Sequence, residues 1–432
     1  MIEALILFIK RRIPQKLFTE LQPYYHKTLS LLGAILYLFP SRKLFVIGIT
    51  GTKGKTTTAE VINALLEEAG YKTALASTLR FKIDDRSERN PYKMTMPGRF
   101  TLQRFLRKAV RNKCEYAVIE ITSEGVVQFR HKNIYLNALI FTNISPEHIE
   151  SHGSYENYLS AKLEIAYALG ASPKRPRYMV ANKDDKESPK FLAVDVEKKI
   201  TFGFDSVNNL ELAETYSKFT WNDIQVHTHL PGKFNVYNVL AGLSLAYALG
   251  IPPDVLRDGI KSLGGVRGRM ERIVVEKENH TLFNDFDVII DYAHTPDSLE
   301  KVYMALEGRP KICVLGGTGG GRDKWKRPIM GNIAAKYCKK IILTDEDPYD
   351  ENPKQIVLEI EKGILEKEKS AEVEMDRQKA IRKAITVAKK NDVVIITGKG
   401  TDPFIMGPNG SKIPWDDAAI AREELIRIVS EH

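Results

Sequence analysis

The sequence predicts an α/β protein of two domains behind a short helical head. Three observations predict it. Short apolar strands alternate with helices along most of the chain, a glycine-rich turn follows the first strand, and the glycines of residues 264–268 separate two such series. This alternation implies parallel strands, because a parallel crossover needs a helix-length connection. The reading places the head at residues 1–43, a central domain at 44–264 and a C-terminal domain at 265–432.

The head carries seven Lys or Arg against two Glu and contains the apolar run Thr28–Pro40. That run is shorter than the roughly 18 residues a spanning helix needs, and no small-residue cleavage site follows it. Leu5–Ile9 followed by Lys10-Arg11-Arg12 suggests peripheral contact of residues 1–40 with an anionic bilayer. A helical extension packed on its own domain is the equal alternative. Next come a strand at Lys43–Ile49, the turn Thr50–Thr58, and a helix at Thr57–Ala69 with Val61, Leu65 and Leu66 on one face and Gly70 as its stop. Strands follow at Tyr71–Ser77, Tyr116–Thr122, Ala138–Asn143, Tyr178–Asn182 and Lys199–Gly203, with helices at Thr101–Asn112 and Tyr155–Leu169. The helix Asn235–Leu249 stops at Gly250-Ile251-Pro252-Pro253. Beyond the glycines lie strands Val288–Tyr292, Lys311–Gly316, Lys340–Thr344 and Val393–Thr397. No internal repeat is present.

With 432 residues and 43% of them apolar, the chain can bury two or three cores, which excludes a disordered or fibrous protein. The net charge of +9 suits nucleic acid, an anionic membrane or phosphorylated substrates and does not choose among them. Cys114, Cys313 and Cys338 have no metal-binding spacing and are too few for a disulfide framework. Free thiols in a reducing, cytoplasmic setting are expected.

The strongest local signal is Gly51-Thr52-Lys53-Gly54-Lys55-Thr56-Thr57 between a strand and a helix. Successive backbone N–H groups and the helix N-terminus can cradle phosphates there. Lys55 is placed to reach the β- and γ-phosphates of ATP, and the Thr56 hydroxyl to bind Mg²⁺. The spacing is a short G-T-x-G-K-T form, since Ile stands at residue 49, where the longer phosphate-loop motif has its first glycine. Glu120 ends an apolar strand, where a carboxylate faces the nucleotide crevice and can hold Mg²⁺. Asn235 and Asn238 share one helical face, and their amides offer the donor and acceptor that an adenine edge requires.

These strings, with Met94-Thr95-Met96-Pro97, Asn143-Ile144-Ser145-Pro146-Glu147-His148, Ser160-Ala161-Lys162, Gly268-Arg269-Met270-Glu271-Arg272, Asp291-Tyr292-Ala293-His294-Thr295-Pro296 and Gly316–Pro328, resemble the Mur ligase family over about Leu44–Leu425. The likeness is strongest to its tripeptide-synthetase (MurE-like) branch. It implies a P-loop central ATPase domain on a parallel sheet and a Rossmann-like C-terminal α/β domain. It also implies an ATP-dependent ligase that adds an amino acid to a UDP-N-acetylmuramyl dipeptide through an acyl phosphate. Two Mg²⁺ would be held by Thr56, Glu120, His148 and a carbamylated Lys162, the carbamate supplied by CO₂. Arg269, Asp291 and His294 fall on nucleotide-side positions, and Thr95, Met96, Thr122, Gln128 and Arg130 on positions that contact the UDP-sugar acceptor. Met96, Glu124 and Glu147 replace the usual Thr, His and Asp.

Arg322 falls where the incoming α-carboxylate is held. Glu346-Asp347-Pro348-Tyr349 stands where diaminopimelate-adding enzymes carry Asp-Asn-Pro-Arg. With that Arg gone and Asp402 near Gly398, the expected amino acid is lysine or ornithine. The 43 residues before the first strand are fewer than the α/β module that grips UDP in tripeptide synthetases, so the expectation is either that uridine is held weakly or that the acceptor is recognised another way, such as a lipid-linked precursor at the membrane. Small-molecule substrates, no nucleic acid, a monomer, and a cytoplasmic location with contact at the inner face of the membrane complete the expectation. A Mur-type ligase acting on a pseudomurein precursor or on folate, and a nucleotide-binding membrane scaffold without ligase activity, are the competing readings. The set Lys55, Glu120, His148 and Lys162 argues against the scaffold.

Overall fold

The structure, a computed structural model, describes residues 15–92, 94–147, 149–277, 280–282 and 285–431. Leu5–Arg12 and His148, both singled out above, lie outside the described residues. The chain divides into two compact units. One takes residues up to Ile144 with Glu156–Phe202 and Ser244–Leu249; the other takes Ser145–Tyr155, Gly203–Leu243 and the chain from Gly250 onward.

The first unit is built on an eight-stranded sheet. Its strands are β1 (Phe45–Thr50), β2 (Thr73–Ala76), β3 (Arg80–Ile83), β4 (Arg86–Arg89), β5 (Tyr116–Glu120), β6 (Ala138–Phe141), β7 (Tyr178–Asn182) and β8 (Lys198–Phe202), in the spatial order β4-β3-β2-β5-β1-β6-β7-β8. From β2 to β8 the neighbours run parallel, as the strand–helix alternation predicts. The β2-β3-β4 edge is antiparallel, so the sheet is mixed rather than wholly parallel. The central strands are continuous apolar runs because both faces are covered; Val46, Ile47 and Ile49 are fully buried. β1 lies between β5 and β6, so the chain order reverses beside it, and the crevice at the carboxyl ends of β1 and β5 is where such sheets bind ligands. Helices α1 (Gln15–Leu36), α2 (Lys55–Glu68), α3 (Arg99–Arg111) and α4 (Tyr155–Gly170) accompany the sheet.

The second unit contains a six-stranded sheet in the spatial order Glu271–Arg272, Asp287–Asp291, Val393–Thr397, Lys311–Leu315, Lys340–Leu343 and Glu372–Val373. Only its first strand is antiparallel to its neighbour. Residues 208–228 add a three-stranded antiparallel sheet, which the sequence reading did not foresee. Two helices, Lys326–Tyr337 and Pro353–Leu365, cross on paired glycines. A Cβ at Gly331 would stand 1.9 Å from the Ile360 carbonyl oxygen, and one at Gly363 would stand 1.8 Å from that of Pro328.

Cys313 and Cys338 are bonded to each other in this unit's core, whereas free thiols were expected; Cys114 is buried and free. Their 25-residue separation carries no signal in the sequence. Only the return of the chain from the helix to the neighbouring strand brings them together.

Candidate active site

The first unit's site begins with the turn after β1. Gly51 has φ +151°, and a Cβ there would lie 2.0 Å from Thr142 Oγ1, so only glycine fits. The turn is pinned from beside it. Thr52 N donates to Asn143 O (2.8 Å), Lys53 N to Asn143 Oδ1 (3.0 Å), and Thr142 Oγ1 to Lys53 O (2.7 Å). Gly54, in the left-handed region at φ 84°, turns the chain into α2. Lys55 Nζ, half-buried, donates to the carbonyls of Gly51 and Thr52 (2.9 Å each). These bonds fold the ammonium over the turn, with Thr56 and Thr57 buried behind it.

Glu120 ends β5 in register with Ile49 and is fully buried. It accepts from Thr56 Oγ1 (3.1 Å), Thr78 N (2.8 Å) and Thr78 Oγ1 (3.0 Å). Burial pushes its carboxyl above the ordinary range, while the charge of Lys55 and the bonds from Thr78 and Thr56 pull the other way. Lys162, on α4 and 2% exposed, donates from Nζ to Gly51 O (2.9 Å) and lies 4.6 Å from the centre of the Tyr158 ring. The Tyr158 hydroxyl in turn bonds Thr52 Oγ1 (2.9 Å). Gly51, Thr52, Lys55, Thr56, Glu120 and Lys162 thus gather around one turn.

Of the expected acceptor residues, Thr95 is linked to the same carboxylate. Thr95 Oγ1 pairs with Thr78 Oγ1 (3.0 Å), continuing the chain from Glu120. Arg130 donates to Met96 O and to Gln128 Oε1 (2.7 Å), and Arg99 Nε donates to Gln128 O (2.9 Å). Thr122 caps the short helix that follows it by accepting from Gly125 N (3.1 Å). Met96 is buried, and a Cβ at Gly125 would lie 2.5 Å from its sulfur.

The second unit holds the remaining residues in three groups. Asn238 Nδ2 donates to Asn235 Oδ1 (3.0 Å), and Asn235 Nδ2 to Pro231 O (2.8 Å), so the paired amides are buried and oriented together. Asp291 accepts from Met270 N and Ala293 N (2.8 Å each), Arg269 lies over the Tyr292 ring (4.4 Å), and His294 Nε2 is 3.5 Å from Glu147 Oε1. Glu147 is therefore a neighbour of His294 within this unit.

The third group is built around Glu346-Asp347-Pro348-Tyr349. Glu346 is buried against Gly398, accepts from Thr318 Oγ1 (2.7 Å), and leaves its Oε2 without a hydrogen-bond partner among the described residues. Burial raises its carboxyl above the ordinary range. Lys399, fully buried, donates to Asp347 Oδ1 (2.8 Å) and Phe404 O (2.6 Å) and lies 3.5 Å from Asp402 Oδ2. Arg322 is exposed, with its guanidinium 5.2 Å from the Tyr349 ring centre.

Sequence reasoning missed Thr78, Tyr158 and Lys399. Thr78 follows a strand that neighbours β5, and the strand order alone reveals it. Lys399 had a visible signal, the second glycine–lysine turn Gly398-Lys399-Gly400-Thr401 after an apolar strand. It qualifies the expected charge of the pocket: three carboxylates face one ammonium, and the nearby Arg377 is itself paired with Asp417 (2.7 Å).

The first unit fits a Mg²⁺-nucleotide. Its turn excludes a Cβ at Gly51, and the Thr56 hydroxyl and Glu120 carboxylate, a hard oxygen pair, meet beside it. Among the described residues there is no cluster of three His, Cys, Asp or Glu. Mg²⁺ does not require one, since it keeps several waters.

Residues 49–246 match the Mur ligase middle domain, and residues 268–400 match the Mur ligase, glutamate ligase domain. The UDP-N-acetylmuramoyl-L-alanyl-D-glutamate--2,6-diaminopimelate ligase 1 of Clostridium acetobutylicum is 34% identical over 409 residues, 92% of this chain and 81% of that protein. The corresponding ligase of Bacillus licheniformis is 35% identical over 417 residues, 93% of this chain and 83% of that protein. A solved structure of such a 2,6-diaminopimelate ligase superposes with a TM-score of 0.59 at 26% identity, covering 90% of this chain and 79% of that one.

Proposed function

Since this chain belongs to the Mur ligase family, we propose that it joins an amino acid to the free carboxylate of a UDP-N-acetylmuramoyl dipeptide. It is an ATP-dependent amide-bond ligase. The observation that carries the reading is the convergence of the Gly51–Thr56 turn, Glu120 and Lys162 on one phosphate cradle.

The acceptor carboxylate attacks the γ-phosphorus of ATP. The bond from that phosphorus to ADP breaks, and an acyl phosphate forms. The amine of the added amino acid then attacks the acyl carbon, phosphate leaves, and the nitrogen loses a proton. Lys55 and the backbone N–H groups of the turn hold the phosphates, so acceleration comes from positioning and charge stabilisation rather than a side-chain nucleophile. Thr56, Glu120, His148 and a carbamylated Lys162 would hold the two Mg²⁺. Bound Mg²⁺ supplies the positive charge that lets a carboxylate approach a triphosphate. The N–H that a carbamate keeps can still donate to Gly51 O, so the contact Lys162 makes suits the modified side chain. Asn235 and Asn238 take the adenine, Arg269, Asp291 and His294 serve the nucleotide side, and Thr95, Met96, Thr122, Gln128 and Arg130 hold the acceptor.

Lysine is the amino acid proposed. Arg322 holds its α-carboxylate, and the carboxylate excess of Glu346, Asp347 and Asp402 over Lys399 favours a side-chain ammonium over a second carboxylate. Diaminopimelate is the second reading, favoured by the names of the relatives. We further propose a cytoplasmic monomer with peripheral membrane contact through residues 1–40.

Release of ADP, measured with a UDP-muramoyl dipeptide and a panel of amino acids, tests this. Release should require both substrates and favour lysine over meso-diaminopimelate by roughly ten-fold or more. A preference for diaminopimelate overturns the specificity, and ADP release indifferent to the acceptor overturns the reaction. Lys162→Ala should lose ligation, regain part of it with short-chain carboxylic acids and none with bicarbonate; full activity in the plain variant excludes the carbamate.

A further inference from the structure

Helix α1 turns the wrong face to water. Its small and polar residues point inward: Ala34 and Ser30 are buried, Ser30 Oγ donates to Lys132 O (2.9 Å), Asn133 Nδ2 donates to Ser30 Oγ (3.1 Å), and a Cβ at Gly33 would lie 3.6 Å from the Phe100 ring of α3. Its large apolar side chains point outward. Tyr24 is 72% exposed, and Tyr25, Leu31, Leu32, Ile35 and Leu36 are each about half exposed or more, at spacings that share one side of the helix. Leu38, just past the helix, is 66% exposed. Single exposed leucines are ordinary, but a contiguous stripe of this kind marks a surface that something covers.

Helix α3, against which α1 packs, supplies the charge. Residues 99–113 contain six Lys or Arg and no Asp or Glu. Arg104, Lys108 and Arg111 are exposed and follow Phe100 at intervals of four, four and three, so they continue the helix face that begins where α3 meets Gly33 of α1. An exposed apolar stripe on one helix, with a row of exposed cations on the helix packed against it, matches an anionic lipid surface, with the apolar residues among the acyl chains and the cations at the headgroups. No described helix is long and apolar enough to cross a membrane, which suits a helix lying in the interface. We infer that the outward face of α1, together with the basic face of α3, is a docking surface for an anionic phospholipid bilayer. The inference makes definite the peripheral-contact part of the reading above and rests on that part alone.

Co-sedimentation of the full chain with vesicles of phosphatidylcholine alone, and of phosphatidylcholine mixed with phosphatidylglycerol, tests it. Binding should appear with the anionic vesicles, fade as salt rises, and be weak with the neutral ones. Leu32→Glu combined with Ile35→Glu should weaken binding at least roughly ten-fold. Arg104→Gln, Lys108→Gln and Arg111→Gln together should weaken it on the order of a hundred-fold. All five positions are exposed, so melting temperatures should hold, and ADP release should be unchanged. No vesicle binding by the full chain overturns the inference. So does binding that neither variant weakens, which would place the contact elsewhere, or a dimer that the Leu32/Ile35 variant dissociates, which would assign the face to a second copy. A chain that binds vesicles yet never ligates overturns the ligase reading and leaves this one standing.

Discussion

Lys55 and Lys399 each follow a parallel strand across a glycine turn, the first after Phe45–Thr50 and the second after Val393–Thr397. Read locally, Gly-Lys-Thr and Gly-Lys-Gly-Thr are near equivalents. Lys55 is half-buried and bonded to turn carbonyls, at the head of a helix whose first N–H groups face the same space. Lys399 is wholly enclosed and paired with Asp347, with Asp402 close by. A lysine that keeps a path to water can exchange its carbonyl contacts for phosphate oxygens. One sealed among carboxylates serves to make their burial tolerable. The motif alone therefore does not decide a lysine's task; its enclosure does.

Lys55→Ala should test the first half of that contrast with the largest effect. Turnover should fall on the order of a thousand-fold, while the melting temperature moves by no more than a few degrees. A variant that keeps its turnover would remove Lys55 from phosphate handling. Lys399→Met should do the reverse, destabilising the second unit by about 3–5 kcal/mol, because it leaves buried carboxylates unpaired. Thermal unfolding reads this, and adding Asp347→Asn should return part of the loss. If Lys399→Met unfolds at the same temperature as the unmodified chain, the enclosed pair is not what holds this pocket.

The smallest effect concerns Glu120, the carboxylate that faces Lys55's turn. Burial raises its folded-state pKa above the ordinary 4.5, so the folded protein favours the protonated carboxyl more than the unfolded chain does. Its contribution to stability is then complete below pH 4.5 and is lost as pH rises through the raised value. In the absence of Mg²⁺ and nucleotide, Glu120→Gln should therefore gain stability relative to the unmodified chain as pH rises across that window. Melting temperatures that stay parallel with pH would show that the Thr56 and Thr78 bonds and Lys55 already offset the burial.

Much of this was legible in the sequence, and the limits follow from range and exposure. Tyr178–Asn182 and Val393–Thr397 could be read to the residue, because continuous apolar runs bounded by polar residues have one reading. The β3–β4 edge could not, because Arg86–Arg89 is polar and exposed along its whole length. The 208–228 sheet carried a signal that went unread, since Ser217–Trp221 and Ile224–Thr228 alternate polar residues with Phe219, Trp221, Ile224 and Val226, while its first strand, Asn208–Leu212, is exposed throughout. The phosphate turn was readable because its glycines and lysine are consecutive. Thr78, whose partner Glu120 lies 42 residues away, and Lys399, 52 from Asp347, depend on strand order that no local pattern encodes.

The glycine crossing of Lys326–Tyr337 and Pro353–Leu365 bears on how this enzyme's choice of amino acid could be altered. Residues 316–325, with Arg322, lead into one helix, and residues 344–352, with Glu346 and Tyr349, lead into the other. With Gly331 and Gly363 each seated against the opposite backbone, neither helix can slide or rotate without a clash. The two loops are thereby anchored as a matched pair. A new specificity would have to come from exchanging side chains on a fixed frame, one substitution at a time, rather than from re-spacing the loops.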